Sequence, residues 1–323
     1  MKSLLIYIPT FNRCESLKLC ISRILIETKG LESEILIHIS DNNSTDETSK
    51  FLETIESEII SVSTNDINIG ASLNILKVHE LKNLCEYSLI IGDDDYLTGG
   101  SLKRLIAFLK ANSSVDLFFI NTLAYDENLR SEVLEILETN QWNSPPDGGN
   151  LKSHINQNFF CTMDELIDPK IDEVLGGSVM CYVFRSALVS NHLNGLISDH
   201  TFNMYSSYPH TLNWIYSFNP KTLSAFLHMP FTINFWHGGK EWGSLGYHRV
   251  VSEGLGFLLF ELMRLNYIKN ENKSIYLNHY IKISKKSIML MIAEGCKTGK
   301  TELSIKYLNL LVENFLNIKF SEY

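Results

Sequence analysis

Three consecutive carboxylates are the strongest chemical signal in the sequence. Residues 88–91 read as a short apolar strand, and Gly92-Asp93-Asp94-Asp95 follows it directly. Adjacent carboxylates repel one another and packing does not require them, so a bound cation is a natural explanation. Ligands that are all oxygen favour Mg²⁺ or Mn²⁺ over zinc or copper. The alternative is a solvated acidic turn that lies ahead of a helix, near the positive end of its dipole.

Polar residues also follow three other predicted strands. Thr10 and Arg13 come after residues 4–8, Asp41 comes after residues 34–40, and Asn68 comes after residues 59–63. In sheets of the α/β type, ligands collect at the carboxyl ends of the strands. We therefore expect these side chains to lie at one edge of a sheet, together with the acidic triplet.

The elements that must position these residues alternate between strand and helix. Predicted strands cover residues 4–8, 34–40, 59–63, 88–91 and 115–122, and predicted helices fill the intervals between them. Such alternation with short links indicates an α/β fold with a Rossmann-like, mostly parallel central sheet flanked by helices.

The second half of the chain is less regular. Residues 124–158 are polar and rich in turn formers, which predicts a long surface excursion. Strands are predicted at residues 177–185, 222–227 and 231–235, and helices near 186–193 and 209–217. From about residue 247 the pattern is helical, with broad apolar faces. We therefore divide the chain into residues 1–122, residues 123–245 and a C-terminal helical region, residues 246–323.

Composition excludes several classes of protein. The net charge is −9 and the pI about 5.6, whereas binding to nucleic acid needs clustered Lys and Arg, so no nucleic-acid partner is expected. The six cysteines form no CxxC pair and no zinc-like cluster, which favours reduced thiols. No apolar run reaches the ~20 residues that span a bilayer, and no signal peptide is recognisable. We expect a cytoplasmic protein, with membrane-surface contact left open.

The C-terminal helical region mixes apolar and basic residues. Lys282, Lys285 and Lys286 lie among isoleucines, methionines and a leucine between residues 281 and 292. A basic amphipathic helix can rest on an anionic membrane surface. It can also pack on its own domain or against a second subunit in a homodimer, and packing is the more common outcome.

Three motifs together resemble the family 2 glycosyltransferases, which have the GT-A fold. They are Ile8-Pro9-Thr10-Phe11-Asn12-Arg13, Ser40-Asp41-Asn42-Asn43-Ser44-Thr45-Asp46 and Gly92-Asp93-Asp94-Asp95. Within that family the chain is most similar to the bacterial O-antigen type, such as abequosyltransferases. The resemblance covers residues 3–122 and is thinner over residues 175–242. It implies that residues 1–122 form the nucleotide-sugar-binding half of a GT-A domain and residues 123–245 the acceptor-binding half.

The resemblance implies that the first loop and the end of the second strand bind the nucleoside of the donor. The loop from Pro9 to Arg13 corresponds to the family's first donor-binding loop. Thr10, Phe11 and Arg13 would contact the nucleoside there, with the aromatic ring stacked on the base. Asp41 matches the family's aspartate that hydrogen-bonds the base.

The acidic triplet corresponds to the family's DxD motif. By resemblance, Asp93 lies near the ribose and is a second candidate metal ligand, while Asp95 binds the metal ion that bridges the diphosphate. Asp94, between them, is expected on the donor side of the site. Asn68 and Asn74 belong to a stretch that resembles the family's NxGxxxN motif, which lies beside the donor. Many relatives have an arginine where this chain has Asn74.

The catalytic base has two candidates. Many family members carry an Asp or Glu at the start of a helix after the acceptor-side strands, and His210 takes the matching position here, directly behind Pro209. A histidine with an ordinary pKa near ~6.5 can accept a proton at neutral pH. Asp199 is the second candidate. The alternatives are a capping or packing histidine and an ordinary loop aspartate.

A glycine-rich loop at residues 237–243 offers further ligands. Its adjacent glycines permit close approach of the backbone to a ligand. His237 could bind the metal or the diphosphate, as a histidine does here in some relatives, Lys240 could pair with a phosphate, and Trp242 could stack on a sugar. A tight turn with exposed side chains is the equally simple alternative.

These features together predict a metal-dependent, inverting glycosyltransferase. Its donor would be a nucleotide sugar, and its acceptor a hydroxyl of a saccharide or lipid-linked saccharide in bacterial surface polysaccharide synthesis. Mn²⁺ or Mg²⁺ would offset the charge that develops on the leaving diphosphate. A nicotinamide-dependent enzyme is disfavoured because no GxGxxG follows the first strand. A non-catalytic nucleotide-sugar-binding subunit of an assembly complex stays open as the alternative.

Overall fold

A computed structural model describes residues 1–138, 146–197, 204–236 and 243–299. The chain divides into two compact units, each described below by itself. The first unit comprises Met1–Thr201 with Pro209–Trp236, and the second comprises Phe202–Tyr208 with His237–Tyr323. The three-part division drawn from the sequence remains a prediction.

The first unit is built on a twisted sheet, which has ten strands within the described residues. The strands are β1 Lys2–Thr10, β2 Ile35–Asp41, β3 Ile60–Thr64, β4 Cys85–Ile90, β5 Tyr96–Leu97, β6 Leu117–Asp126, β7 Asn150–Leu151, β8 Phe159–Thr162, β9 Tyr182–Arg185 and β10 Leu223–Trp236. Their order is β3-β2-β1-β4-β9-β6-β10-β5, with β7 paired to β6 and β8 paired to β10.

The two halves of this sheet differ in strand direction. Strands β3, β2, β1 and β4 are parallel to one another, as expected from the alternating sequence pattern. The other half is mixed, because β9 runs antiparallel to both β4 and β6, while β10 runs parallel to β6. The predicted α/β fold with flanking helices is therefore confirmed, and the parallel arrangement is confined to β1–β4 and the β6–β10 pair.

Helices cover this sheet and bury its apolar strands. They are α1 Cys14–Glu27, α2 Thr48–Glu53, α3 Ala71–Leu76, α4 Ser101–Ala111, α5 Arg130–Glu138, α6 Met163–Leu166 and, in the same unit, α8 Pro209–Ser217. Strand β1 contains an unbroken apolar run from Leu4 to Ile8. All five of these residues are fully buried, because both faces of the sheet are covered. The stripe of α1 that includes Leu17, Ile21 and Ile24 packs into the same core.

The second half of the first unit departs from the sequence prediction at several places. The helix predicted near residues 186–193 is only a 3-10 turn, Ser186–Leu188, and the strand predicted at residues 177–185 is limited to β9. The polar excursion contains helix α5, whose Val133 and Leu137 pack in a small core with Tyr125 and Phe235. The two strands predicted around residues 222–235 are one strand, β10, whose register with β6 shifts at Pro230. Proline has no N–H to donate to the strand ladder, which explains why the pairing shifts at this residue. The strand itself continues through Pro230.

The second unit is helical, which confirms the predicted C-terminal helical extension. Its helices are α7 Met204–Ser207, α9 Gly243–Arg249, α10 Leu255–Arg264 and α11 Lys273–Lys297, and a π-helical turn, Val250–Gly254, joins α9 to α10. A side chain at Gly254 would collide with Ser207, 2.3 Å away, so glycine allows α7 to approach this turn closely. No helix in the described part of the chain is long and apolar enough to cross a bilayer.

Candidate functional site

The loops that follow β1 and β4 meet at the carboxyl edge of the sheet. The two strands pair in parallel with Tyr7 opposite Ile90, so Thr10 and the acidic triplet emerge side by side. The Thr10 hydroxyl donates to Asp93 Oδ2 over 2.7 Å, and both side chains are buried. The first predicted pair of donor-site residues is therefore in direct contact.

Arg13 supplies positive charge to two carboxylates of the triplet. It lies immediately before α1, and its Nη1 is 2.7 Å from Asp94 Oδ2 and 3.3 Å from Asp93 Oδ1. The guanidinium is about one-third exposed, so solvent weakens these ion pairs compared with fully buried ones. Arg13 therefore places positive charge directly beside two of the three acids, and Arg130 also interacts electrostatically with Asp94.

Asp95 is the most deeply buried member of the triplet. Its Oδ2 accepts a hydrogen bond from the Gly92 backbone N–H over 2.7 Å, which closes a tight turn. Burial, and then the charges of Asp94 and Asp93, raise the pKa of this carboxyl to about 8. A Cβ on Gly92 would lie 2.9 Å from carboxylate oxygens of both Asp94 and Asp95, so this position requires glycine.

The triplet fits a hard divalent cation in its chemistry. Its donors are all oxygen, and the pKa of Asp95 is raised first by burial and then by the neighbouring charges of Asp94 and Asp93. In the described ranges, no three His, Cys, Asp or Glu side chains are already grouped as a metal site. Asp95 and Asp93 would hold such an ion only together with ligands from outside that part of the chain, such as water or a diphosphate.

Asp41 lies at the end of β2 with its side chain fully buried. Oδ1 accepts hydrogen bonds from the backbone N–H and the hydroxyl of Ser44, at 3.1 and 2.5 Å. Oδ2 accepts from the Ser49 hydroxyl at 3.2 Å. The carboxylate therefore shapes the loop between β2 and α2, whatever else it binds.

That loop is clasped to the loop after β1 by Asn12. Its side-chain oxygen accepts a hydrogen bond from the Thr45 backbone N–H over 2.7 Å. Its backbone N–H donates to the Ser44 hydroxyl over 2.9 Å. Asn12 has a positive φ of 55°, a conformation that asparagine tolerates better than most residues. The two predicted nucleoside-binding loops are thus one connected structure.

Asparagine side chains link the ends of β2 and β3. Asn74, which is buried, accepts from Ser40 at 2.7 Å and from Asn65 at 3.1 Å. Asn42 accepts from Asn65 and donates to Asn68, each over 2.9 Å. The structure therefore brings Asn68 and Asn74, both named from the sequence, into one hydrogen-bonded network at the donor edge.

Pro9 and Phe11 complete the first loop. Pro9 is the last but one residue of β1, opposite Ser40 of β2. Phe11 follows the strand and keeps 38% of its surface exposed, although it is a large aromatic residue. An exposed ring beside Asp41's loop has the form of a stacking surface for a planar ligand.

His210 begins α8 and reaches the same edge of the sheet. Its Nε2 is 3.2 Å from the Gly177 carbonyl oxygen, and its ring contacts the Trp214 ring edge-on, with an angle of 66° between the ring planes. Gly177 shortly precedes β9, whose Val183 pairs with Leu89 near the end of β4. The start of β9 therefore adjoins the strand that carries the acidic triplet. Burial lowers the pKa of His210 to about 4, not the ordinary value near 6.5 expected from the sequence.

The comparisons with known proteins agree with this geometry. Residues 5–165 match the model of Glycosyl transferase family 2. This region contains β1 to β4 with the acidic triplet, and the first strands after it. No curated protein sequence matches the chain significantly.

Solved structures with the GT-A fold resemble the whole chain. TarS of S. aureus, residues 1–349 in complex with UDP-GlcNAc, gives a TM-score of 0.62 at 14% identity over 97% of this chain and 81% of that one. The longer S. aureus TarS structure gives 0.59 at 16% identity over 88% of this chain. The chain spans 44% of the length of that protein. At these identities the likeness establishes the GT-A fold alone.

Four of the site residues named from the sequence lie outside the described residues. They are Asp199, the second candidate base, and His237, Lys240 and Trp242 of the glycine-rich loop. Their roles stay predictions. All the other named residues lie at or beside the carboxyl edge of β1, β2, β3 and β4, or next to the start of β9.

Sequence reasoning missed Asp172, which holds the turn beneath His210. This buried carboxylate accepts hydrogen bonds from the Gly176 backbone N–H and from the Ser178 hydroxyl, each over 3.1 Å. Lys152 pairs with it at 3.2 Å. The turn then presents the Gly177 carbonyl to His210. An aspartate shortly before a Gly-Gly pair was the available signal, since such residues organise tight turns.

Proposed function

We propose that this protein is a metal-dependent, inverting glycosyltransferase that uses a nucleotide-sugar donor. The observation that carries the proposal is the buried triplet Asp93-Asp94-Asp95 at the carboxyl edge of the sheet, joined to Thr10 and Arg13. Three adjacent, partly buried acids are costly to hold together in the folded protein, and a ligand that needs them is a natural explanation. The match of residues 5–165 to Glycosyl transferase family 2 supports the same reaction class.

The donor would lie across the joined loops after β1 and β2. Phe11 would stack on the base, Asp41 would read its edge, and Arg13 would face the phosphates. Asn68 would line the donor side at the end of the asparagine network. The TarS complex contains UDP-GlcNAc, which makes UDP-sugars the first donors to test.

Asp95 and Asp93 would hold Mn²⁺ or Mg²⁺, with His237 as a further candidate ligand and Lys240 as a phosphate partner. When bound, the ion offsets the charge that grows on the departing nucleoside diphosphate. The acceptor hydroxyl must lose a proton during attack, so a base is required. His210 is our first candidate, because it takes the position at the start of α8 where many family members carry the base. Burial lowers its pKa to about 4, so the ring is neutral at pH 7 but is a weaker base than an ordinary histidine.

The acceptor would be a saccharide or a lipid-linked saccharide of bacterial surface polysaccharide, with O-antigen synthesis as the specific setting. All six cysteines are free thiols, which suits a reducing compartment, and we propose that the protein works in the cytoplasm. The rival proposal is a non-catalytic subunit that binds nucleotide sugars within an assembly complex.

The test measures nucleoside diphosphate release from UDP-, GDP-, CDP- and dTDP-sugars, with Mn²⁺, with Mg²⁺ and with a chelator. Saccharide and lipid-linked acceptors are supplied in parallel. We expect metal-dependent release that is abolished in Asp95→Asn and retained in Asp147→Asn, which changes an exposed aspartate. Donor binding without turnover on any acceptor would favour the non-catalytic subunit, and chelator-resistant release would refute metal dependence.

A further inference from the structure

The outward face of α11 combines lysines with exposed apolar side chains. At 100° per residue, positions 275, 282, 286, 289, 293 and 297 lie within about 40° of one line along the helix. The isoleucine and methionine on this line are each more than half exposed, although such side chains are usually buried. We call this surface the lysine face. It comprises Ile275, Lys282, Lys286, Met289 and Lys297 on this line, together with Lys285, which is also exposed and lies about 80° to one side.

The opposite face of α11 is already packed within the second unit. Its buried residues recur at helical spacing and include Tyr276, Tyr280, Ile288 and Met291. The Tyr280 hydroxyl donates to the Ser252 carbonyl over 2.7 Å, and the unit's own π-helical turn thereby anchors the helix. The lysine face is therefore not needed to hold α11 in place.

Charge on the lysine face has one sign. Every charged residue of α11 that is exposed is a lysine, and the helix's one acid, Glu294, is half-buried. In the described part of the chain none of the four lysines of this face forms an ion pair. The chain as a whole carries a net charge of −9, so this concentration of positive charge runs against the average of the molecule.

We propose that the lysine face docks on an anionic lipid bilayer. Ammonium groups on a helix surface are attracted to acidic headgroups, and an exposed isoleucine and methionine between them can enter the boundary with the acyl chains. The helix would lie flat on the surface, since no described helix can cross it. This contact is independent of the transfer reaction, and it would hold the protein at a membrane surface, where lipid-linked acceptors are found.

A second copy of the chain fits this face less well. In a two-fold symmetric dimer the same patch meets itself, so Lys282, Lys285 and Lys286 would face their own counterparts. Like charges brought together in this way repel, whereas an acidic bilayer attracts all of them at once. Charge therefore selects the bilayer over the self-contact.

The test is sedimentation of the full chain with phosphatidylcholine vesicles, with and without phosphatidylglycerol. We expect binding only to the acidic vesicles, and weaker binding at high salt. Each lysine near such a surface contributes about fivefold in affinity, so Lys282→Gln/Lys285→Gln/Lys286→Gln should weaken binding about a hundredfold. The matched control removes the same charge from exposed lysines of the first unit, Lys29→Gln/Lys50→Gln/Lys103→Gln, and should bind like the unaltered protein.

Circular dichroism and sedimentation velocity accompany the vesicle assay. Native-like spectra for both triple variants keep the comparison valid, and Met289→Ser serves in place of the first variant if that one does not fold. No binding to acidic vesicles, or equal loss in the control, overturns the proposal. So does a dimer in solution that dissociates in the lysine-face variant, because that result assigns the face to a second copy.

Discussion

Replacing Asp95 by asparagine should stabilise the protein when no metal is present. The side chain is buried among like charges, and its pKa is raised from 3.8 to about 8. Asparagine has nearly the same shape, its oxygen can accept the Gly92 hydrogen bond, and it carries no charge. The substitution therefore removes an electrostatic penalty without removing the contact that closes the turn.

The magnitude follows from linkage between protonation and folding. A carboxyl with a raised native pKa binds its proton more tightly in the folded protein than in the unfolded chain. The loss of folding stability that this carboxyl causes therefore begins near pH 4, grows as the pH rises, and becomes constant above pH 8. This amounts to about 2 kcal/mol at pH 5 and about 4 kcal/mol at pH 7. Asp95→Asn should raise the free energy of unfolding by similar amounts.

Urea denaturation in chelator, at several pH values between 5 and 8, measures this difference. Asp147→Asn is the control, since it changes an exposed aspartate and should alter stability little. A second series adds Mn²⁺ and UDP, which should stabilise the unaltered protein and leave Asp95→Asn unchanged. Equal stability of the two proteins across the pH range in chelator would refute the reasoning, and so would a destabilised asparagine variant.

Three more predictions concern single residues. His210→Ala should lower turnover with little change in donor affinity, and a change confined to donor binding, measured by titration calorimetry, would disqualify His210 as the base. Asp41→Ala should weaken nucleotide binding more than Ser49→Ala, which removes only one of the carboxylate's internal donors; equal losses would mean that Asp41 acts by shaping the loop. His79 is buried, has no hydrogen-bond partner in the described ranges, and has its pKa lowered to about 4 by burial. Because the folded protein holds His79 neutral, the protein loses stability as the pH falls from about 7 to 4. His79→Leu should therefore be more stable than the unaltered protein at pH 5 by about 2 kcal/mol in urea denaturation. An identical pH dependence for the two proteins would contradict this.

The donor side of the site could be predicted because strand ends are visible in the sequence. Apolar runs end at Thr10, Asp41 and the acidic triplet, and parallel strands bring their carboxyl ends to one edge. The clasp between Asn12 and Thr45 was not predictable, because it joins loops 33 residues apart through a contact that no local pattern encodes.

The part of the sheet after β6 was harder to predict because three of its strands, β7, β8 and β9, are short and antiparallel to their partners. Helix α8 lies where its proline and apolar spacing indicate, from Pro209 to Ser217. The burial of His210, and with it the low pKa, depends on the turn that Asp172 holds and on packing against Trp214. Both are tertiary contacts, so an ordinary pKa was the reasonable expectation from sequence alone.

The asparagine network at the ends of β2 and β3 determines how donor binding should respond to solution conditions. Amide groups neither gain nor lose protons in the usual working range, and added salt screens them little because they carry no net charge. The frame that holds the donor loops should therefore keep its geometry while acidity and ionic strength are varied. Any such variation in nucleotide affinity would then report on the charged groups around the donor, which include the aspartates, Arg13 and the nucleotide's own phosphates, and this makes simple titrations informative about the charged part of the site.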